Sequence, residues 1–400
     1  MTNLLQQITA LFLSILAFLS AWLCPHTPPP VTAPFDNRNA PLAERVGVTY
    51  WGSRYIPDYD AQQSGMRSAA SALQALGTKV IKLSAGNLEK EYAFDNWDIP
   101  AIRELADVFA QAPFQEVFAA DFTTYFIVAG EWNSVGWADG LDDAERILVS
   151  DEFYRAAKAL FETYRGSGKT FILQNWEGDN TLAYSDGSQT AVQGITDYYN
   201  ARQDGIRRAQ TECGMENGVR VFGALEVNRI LLYSEYPTLL EAVVPHTYAD
   251  LYLYSAYEKK DPLAVGYFGE ALTRKVIKTW VMAALDKLAE AAPDSEYFGA
   301  NNIALSEFGY PETLGEKQVP FLDGDSWQRL ITQATVEAGL DWGVQYMVYW
   351  ELYCNEYMDG KIPQDWRSLT AADMNGFWLI RPDGSKTQSY DYFYELLHKE

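Results

Sequence analysis

From Val46 onward, short apolar runs alternate with longer amphipathic stretches, and this alternation constrains the fold more than any other property of the chain. Such runs, separated by helix-period patterns, read as βα units whose strands pair in parallel. The predicted strands are Val46 to Trp51, Lys79 to Leu83, Glu116 to Phe122, Thr170 to Asn175, Val219 to Glu226, Leu251 to Ser255, Asn302 to Ser306 and Gln345 to Trp350. Helical spacing covers Gly65 to Leu76, Ile99 to Gln111, Asp143 to Tyr164, Thr196 to Cys213, Gly266 to Ala291, Ser326 to Ala338 and Ser389 to Leu397, as in Leu272, Val276, Trp280, Ala283 and Leu288. Several strands are apolar at nearly every position, which suits burial on both faces. The pattern predicts an α/β chain closed into a (β/α)8 barrel, a single domain over residues 45–400. An open doubly wound sheet is the alternative. Gly47 and Gly52 make no dinucleotide fingerprint for it, and Gly166, Gly168 and Lys169 are not a complete phosphate loop.

The stretch before the barrel is of another kind. No Asp, Glu, Lys or Arg precedes Asp36, and the 17 residues from Ile8 to Cys24 are interrupted only by Thr9, Ser14 and Ser20. As a helix they would span about 26 Å against a hydrocarbon core of about 30 Å. Residues 1–24 are therefore expected to be a signal peptide or an N-terminal membrane anchor, with the barrel exported: extracellular, periplasmic or tethered outside the cytoplasm. Ser20, Ala21, Trp22 and Leu23 lack the small residues expected before a lipidated cysteine, so Cys24 reads as the end of the apolar run. Pro25, Pro28, Pro29, Pro30 and Pro34 make residues 25–44 a stiff spacer.

Charge and composition narrow the chemistry. With 54 acidic and 31 basic residues the net charge is −23, a field that repels nucleic acid and argues against a polybasic contact with lipid. Three His and three Cys suit neither a His-rich metal centre nor a disulfide framework, and Cys213 and Cys354 are expected to be free thiols. No metal or organic cofactor is expected. The aromatic load is heavy by contrast, with 12 Trp, 26 Tyr and 19 Phe.

In a barrel of parallel strands the functional residues sit where each strand ends. The fourth strand runs out through Gln174, Asn175, Trp176 and Glu177, and the seventh through Ser306, Glu307, Phe308 and Gly309. Each sets a carboxylate at the rim, with Gly178 or Gly309 soon after to let the backbone turn. The eighth ends in Tyr349, Trp350 and Glu351. Two facing carboxylates can protonate a glycosidic oxygen and attack, or activate water at, the anomeric carbon. Trp and Tyr faces beside them favour sugar rings over peptides or phosphates.

These residues resemble the (β/α)8-barrel glycoside hydrolases of clan A, whose acid/base Glu ends strand four and whose nucleophile Glu ends strand seven. The resemblance covers about residues 45–398 and rests on Ser306-Glu307-Phe308-Gly309, on Tyr349-Trp350, and on the closing Gly376-Phe377-Trp378-Leu379 with Asp383-Gly384-Ser385-Lys386. It implies a retaining hydrolase acting on an oligo- or polysaccharide, with Glu307 as nucleophile and Glu177 as acid/base. The clan places Asn directly before the acid/base, whereas here Trp176 intervenes and Asn175 stands one residue earlier. In an extended strand Asn175 and Glu177 would share a face. The departure leaves the family within the clan unassigned.

Other residues are candidates for the sugar cleft: Trp51 and Arg54 after the first strand, Asp121 ending the predicted third, Trp176, Glu226 and Asn228 after the fifth, His246, Tyr254 and Tyr257 around the sixth, and Trp350. Glu226 also competes with Glu177 for the acid role. Lys82, within the second strand, can line the pocket or form an internal ion pair. Glu351 and Glu356 read as solvated or sugar-contacting. A catalytically silent carbohydrate-binding barrel, and an inverting hydrolase or lyase using the same carboxylates, remain open alternatives.

Overall fold

A computed structural model describes residues 33–132, 134–231, 237–258, 269–313, 322–358 and 368–399. The expected leader at residues 1–24, with Cys24 and most of the spacer prolines, lies outside them. Eight parallel strands close into a barrel in chain order. They are β1 (Val46–Thr49), β2 (Val80–Ser84), β3 (Thr124–Val128), β4 (Lys169–Gln174), β5 (Val219–Val227), β6 (Leu251–Ser255), β7 (Ile303–Phe308) and β8 (Met347–Tyr349), with β8 pairing back to β1. The outer helices used below are α1 (Gly65–Leu76), α2 (Ala112–Phe118), α3 (Asp143–Thr163), α4 (Gln189–Cys213), α5 (Leu239–Ala242), α6 (Glu270–Ala291), α7 (Gly324–Trp342) and α8 (Gln388–Leu397). Several start on residues suited to capping: the side chains of Ser64, Asp142, Ser188, Asp323 and Thr387 each accept a backbone N–H from the first turn.

The third strand is displaced from its expected position. Pro113 sits in the first turn of α2, where its fixed φ suits a helix, and Phe114, Val117 and Phe118 are buried at helical spacing. The strand is instead the β-branched and aromatic run Thr-Tyr-Phe-Ile-Val that follows. Asp121 therefore lies in the loop leading into β3, with its side chain 78% exposed and paired with Lys79 just ahead of β2. That is the amino-terminal end of the barrel, opposite the mouth where it was expected.

Side chains alternate along each strand, and inside the barrel this produces two zones. Val80, Phe126, Ile172, Phe222, Ala224, Leu253, Ala304 and Val348 belong to one buried apolar cluster. Two residues further on, the inward positions become Lys82, Gln174, Glu226, Ser255 and Ser306, all fully buried. The barrel is thus apolar towards its amino-terminal end and polar beneath its mouth. Among the described residues no helix is long and apolar enough to cross a membrane.

The folded unit reaches back beyond the expected start at Arg45. Phe35 packs against Phe222 and Tyr297, each at 5.7 Å, lies under the Arg220 guanidinium, and donates its N–H to the Tyr297 carbonyl at 3.1 Å. Phe35→Ala should lower the unfolding free energy by about 2 kcal/mol, part of the usual cost of deleting a buried ring because Phe35 is only half-buried. The urea midpoint reads this directly; an unchanged midpoint would mean the segment adds nothing to the barrel.

Candidate active site

The polar zone is organised around Lys82, which is fully buried. Its ammonium donates to Glu307 Oε2 at 2.9 Å, to Glu226 Oε2 at 3.2 Å and to the Ser306 carbonyl at 3.1 Å. A lysine so placed must be paired, because an isolated buried ammonium would lose its proton instead. Burial disfavours its charge, but the Glu226 and Glu307 carboxylates outweigh this and hold its pKa above the ordinary lysine value.

Glu307 reaches the interior through an irregularity in β7. In the pairing with β6, Tyr254 lies opposite Leu305 but Ser255 lies opposite Glu307, so Ser306 is an extra residue. Such a bulge breaks strict alternation and re-aims side chains. Ser306 and Glu307 consequently both turn towards Lys82, the first by its carbonyl and the second by its carboxylate. Burial raises the Glu307 pKa; the Lys82 ammonium opposes the rise, and the nearby Glu226 and Glu177 carboxylates add to it.

Glu177 arrives differently. β4 ends at Gln174, and Glu177 has φ 23° and ψ 74°, a left-handed conformation uncommon outside glycine. Its N–H donates to Glu226 Oε1 at 2.8 Å, and its carboxylate accepts from the Ser255 hydroxyl at 2.9 Å and from the Asn180 amide. Burial and the charge of Glu226 raise its pKa, against the pull of Ser255, Lys82 and Asn180. Gly178 is needed for close approach, not for a left-handed φ: a Cβ there would lie 2.2 Å from a Leu239 methyl and 2.8 Å from the Glu226 carbonyl oxygen. Gly309 is alike, with a Cβ falling 2.3 Å from the Trp350 carbonyl oxygen.

The predicted residues divide. Glu177, Glu226, Glu307 and Tyr257 share one cluster; the Tyr257 hydroxyl is buried, and burial together with the charges of Glu307 and Glu177 keeps its phenol protonated. Trp51 and Trp350 meet edge to face at 5.5 Å, while Trp176 is 36% exposed beside Glu177. Arg54 is half-buried on the loop after β1, where its charge acts on Tyr357. Asn175 does not share a free face with Glu177. Its amide is spent on the Glu226 backbone, accepting from N–H at 2.8 Å and donating to C=O at 2.9 Å.

Asn228 is likewise engaged, exchanging hydrogen bonds with Asp179, which also accepts from the Arg229 and Leu239 N–H groups. Tyr254 donates to Glu258 at 3.0 Å, not to Glu307. His246 is exposed on the outside of the barrel ahead of β6, with its carbonyl held by Asn200 of α4. Glu351 is not solvated: it is fully buried, accepts the Asn355 N–H at 2.9 Å, and burial lifts its pKa well above the carboxylate range. Cys213 and Cys354 are free thiols. Gln174, Ser255 and Ser306 were not singled out as individual candidates. Their signal lay in parity, since each stands two residues beyond an inward apolar position.

The raised carboxyls make stability depend on pH. Glu177, Glu307, Glu351 and Asp179 all hold protons more tightly in the fold than ordinary carboxyls near 4. Asp95, half-buried against the first turn of α1, where it accepts the Met66 N–H, is pushed up by desolvation to about 7. Such groups stabilise the fold fully below their unfolded values and lose that contribution as pH rises through the folded ones. The melting temperature should therefore fall from pH 5.5 to 8.5, and Asp95→Asn should remove the part of the slope that lies below about pH 7. A flat or rising profile would contradict the electrostatic description.

No family model matches the chain, and no curated protein sequence matches it. Solved structures do match in fold. One is a GH5_18 protein from Streptomyces cattleya in complex with Manβ1-4GlcNAc, at 13% identity and TM-score 0.57 over 88% of this chain and 80% of that one. Another is the exo-β-1,4-mannosidase Op5Man5 from Opitutaceae bacterium strain TAV5, at 13% identity and TM-score 0.54 over 93% of this chain, which spans 62% of that protein. A third is a GH5-4 broad specificity endoglucanase from Clostridium acetobutylicum, at 10% identity and TM-score 0.52 over 91% of this chain and all of that one. The chain shares with these glycoside hydrolases the eight-stranded parallel barrel wrapped by helices.

Proposed function

We propose that the chain is a retaining glycoside hydrolase that cleaves an O-glycosidic bond of an oligo- or polysaccharide, with Glu307 as nucleophile and Glu177 as general acid/base. The observation that carries this reading is the unequal setting of the two carboxyls in one cluster: Glu307 touches the Lys82 ammonium, while Glu177 is held by the neutral donors Ser255 and Asn180. A carboxyl against a cation gives up its proton first, and one without a cation keeps it longer. Glycosidic cleavage requires that division of labour. The fold shared with a mannosidase and an endoglucanase, and the indole faces of Trp176, Trp51 and Trp350, agree with a sugar substrate.

The steps follow. Glu307 attacks the anomeric carbon as Glu177 passes its proton to the departing glycosidic oxygen, leaving a glycosyl ester on Glu307. Glu177, now ionised, takes a proton from water; that oxygen attacks the anomeric carbon and Glu307 leaves as carboxylate. The chemistry requires no metal or organic cofactor. The apolar run to Cys24 and its proline-rich spacer support export, with the leader cleaved or retained as a tether.

Glu307→Gln should abolish turnover while glycan binding, read by affinity electrophoresis on a polysaccharide panel, persists. Glu177→Gln should slow natural glycosides about 10²- to 10⁴-fold and activated aryl glycosides much less, because a good leaving group needs little protonation. The pH profile should be bell-shaped, with an acid limb from protonation of Glu307 and an alkaline limb from ionisation of Glu177. Full activity in the Glu307 variant would overturn the assignment.

A further inference from the structure

Glu226 performs neither step of the proposed reaction, yet it holds the backbone of Glu177 and shares the Lys82 ammonium with Glu307. It is fully buried, and both carboxylate oxygens are taken. Oε1 accepts the Glu177 N–H at 2.8 Å. Oε2 accepts from Gln174 Nε2 at 2.8 Å, from Lys82 Nζ at 3.2 Å and from the Ser306 hydroxyl. Its own backbone is clasped on both sides by the Asn175 amide. A carboxylate so enclosed has no exposed surface and already accepts at both oxygens, which removes it as a rival acid and as a sugar contact.

We propose that Glu226 is a positioning residue for the reaction: it fixes the turned backbone of Glu177 and divides the Lys82 ammonium with Glu307, so that its negative charge governs how firmly both reacting carboxyls hold their protons. This rests on Glu177 and Glu307 being the reacting pair. The charge balance supports it. Three carboxyls, Glu177, Glu226 and Glu307, share the cluster, and Lys82 is the cation that ion-pairs with it among the described residues. Carboxylates crowded in this way cannot all ionise without mutual cost. The other titratable groups facing the cluster are Tyr257 after β6, Glu351 and Glu356 after β8, Tyr199 on α4, and Asp179 after β4, whose own charge is met by Arg229. Of these only Arg229 is a cation, and it lies against Asp179 and Asn180. Glu226 is the carboxylate that touches both Lys82 and the Glu177 backbone.

The sign of the effect follows. When Gln replaces Glu226, Glu307 loses a repelling neighbour and gains the whole of the Lys82 ammonium, so its proton leaves at lower pH. Glu177 also loses a repelling charge and releases its proton at lower pH. Both limbs of the kcat/KM profile should move to the acid side by about one pH unit or more. Asp, one methylene shorter, keeps the charge but draws it back from Lys82; it should move the acid limb in the same direction by less.

The experiment records kcat/KM against pH for the wild type, Glu226→Gln and Glu226→Asp on an aryl glycoside that the wild type hydrolyses, with Glu307→Gln run in parallel and thermal melts confirming folding. Acid-shifted limbs in the order Gln beyond Asp support the proposal; if the Gln variant does not fold, the Asp shift decides. A folded variant that is slower but keeps both limbs at wild-type positions would make Glu226 a packing residue and overturn it. Should Glu307→Gln turn over like the wild type, the reaction assignment fails instead, whatever the Glu226 variants do.

Discussion

One buried ammonium shared between two carboxylates determines the arrangement of the barrel's mouth. Removing Lys82 and its partners from water costs several kcal/mol per ion, and only close contacts and further hydrogen bonds offset that cost. The structure supplies them from four strands: Lys82 from β2, Gln174 from β4, Glu226 from β5, and Ser306 with Glu307 from β7. Because these donors and acceptors come from four different strands, the cluster also fixes the register of the barrel at this level. The two carboxyls proposed to react are therefore oriented by the same contacts that make their burial tolerable.

The apolar zone beneath gives this cluster its electrostatic strength. Phe126, Ile172, Phe222 and Ala304 close the interior below the polar layer, excluding water and strengthening every charge interaction above them. At the rim the backbone departs from regular geometry at both of these carboxyls. A bulge at Ser306 turns Glu307 inward, and a left-handed residue turns Glu177 back over Glu226. Left-handed conformations of this sort cost on the order of 1–3 kcal/mol and persist where surrounding contacts enforce them; here the Glu226 carboxylate and the tight packing of Gly178 do so.

The barrel was legible because burial on both strand faces imposes an alternation that composition cannot hide. The third strand escaped because an apolar helix turn and an apolar strand look alike over a few residues, and only Pro113 distinguished them. That slip carried Asp121 to the wrong end of the barrel. Lys82 is read from the sequence as a pocket residue or one half of an internal ion pair, and the pair is present with Glu226 and Glu307; Val80 and Ala224, two residues before Lys82 and Glu226, carry the inward parity. Periodicity could not foresee the bulge that brings Glu307 to Lys82, nor that Asn175 would be consumed by the Glu226 backbone. Both are tertiary accommodations made by neighbouring strands, as is the burial of Glu351 against Asn355.

The proposed reaction depends on Glu307 forming a covalent bond to sugar from within this cluster. The direct measurement is trapping with 2-deoxy-2-fluoro glycosyl fluorides of gluco and manno configuration, followed by proteolysis and mass spectrometry. The expected result is a stable adduct of one sugar on the peptide containing Ile303–Phe308, located by fragmentation on Glu307 and lost in Glu307→Gln. An adduct on Glu177 or Glu226, or turnover that NMR shows to invert the anomeric centre, would contradict it.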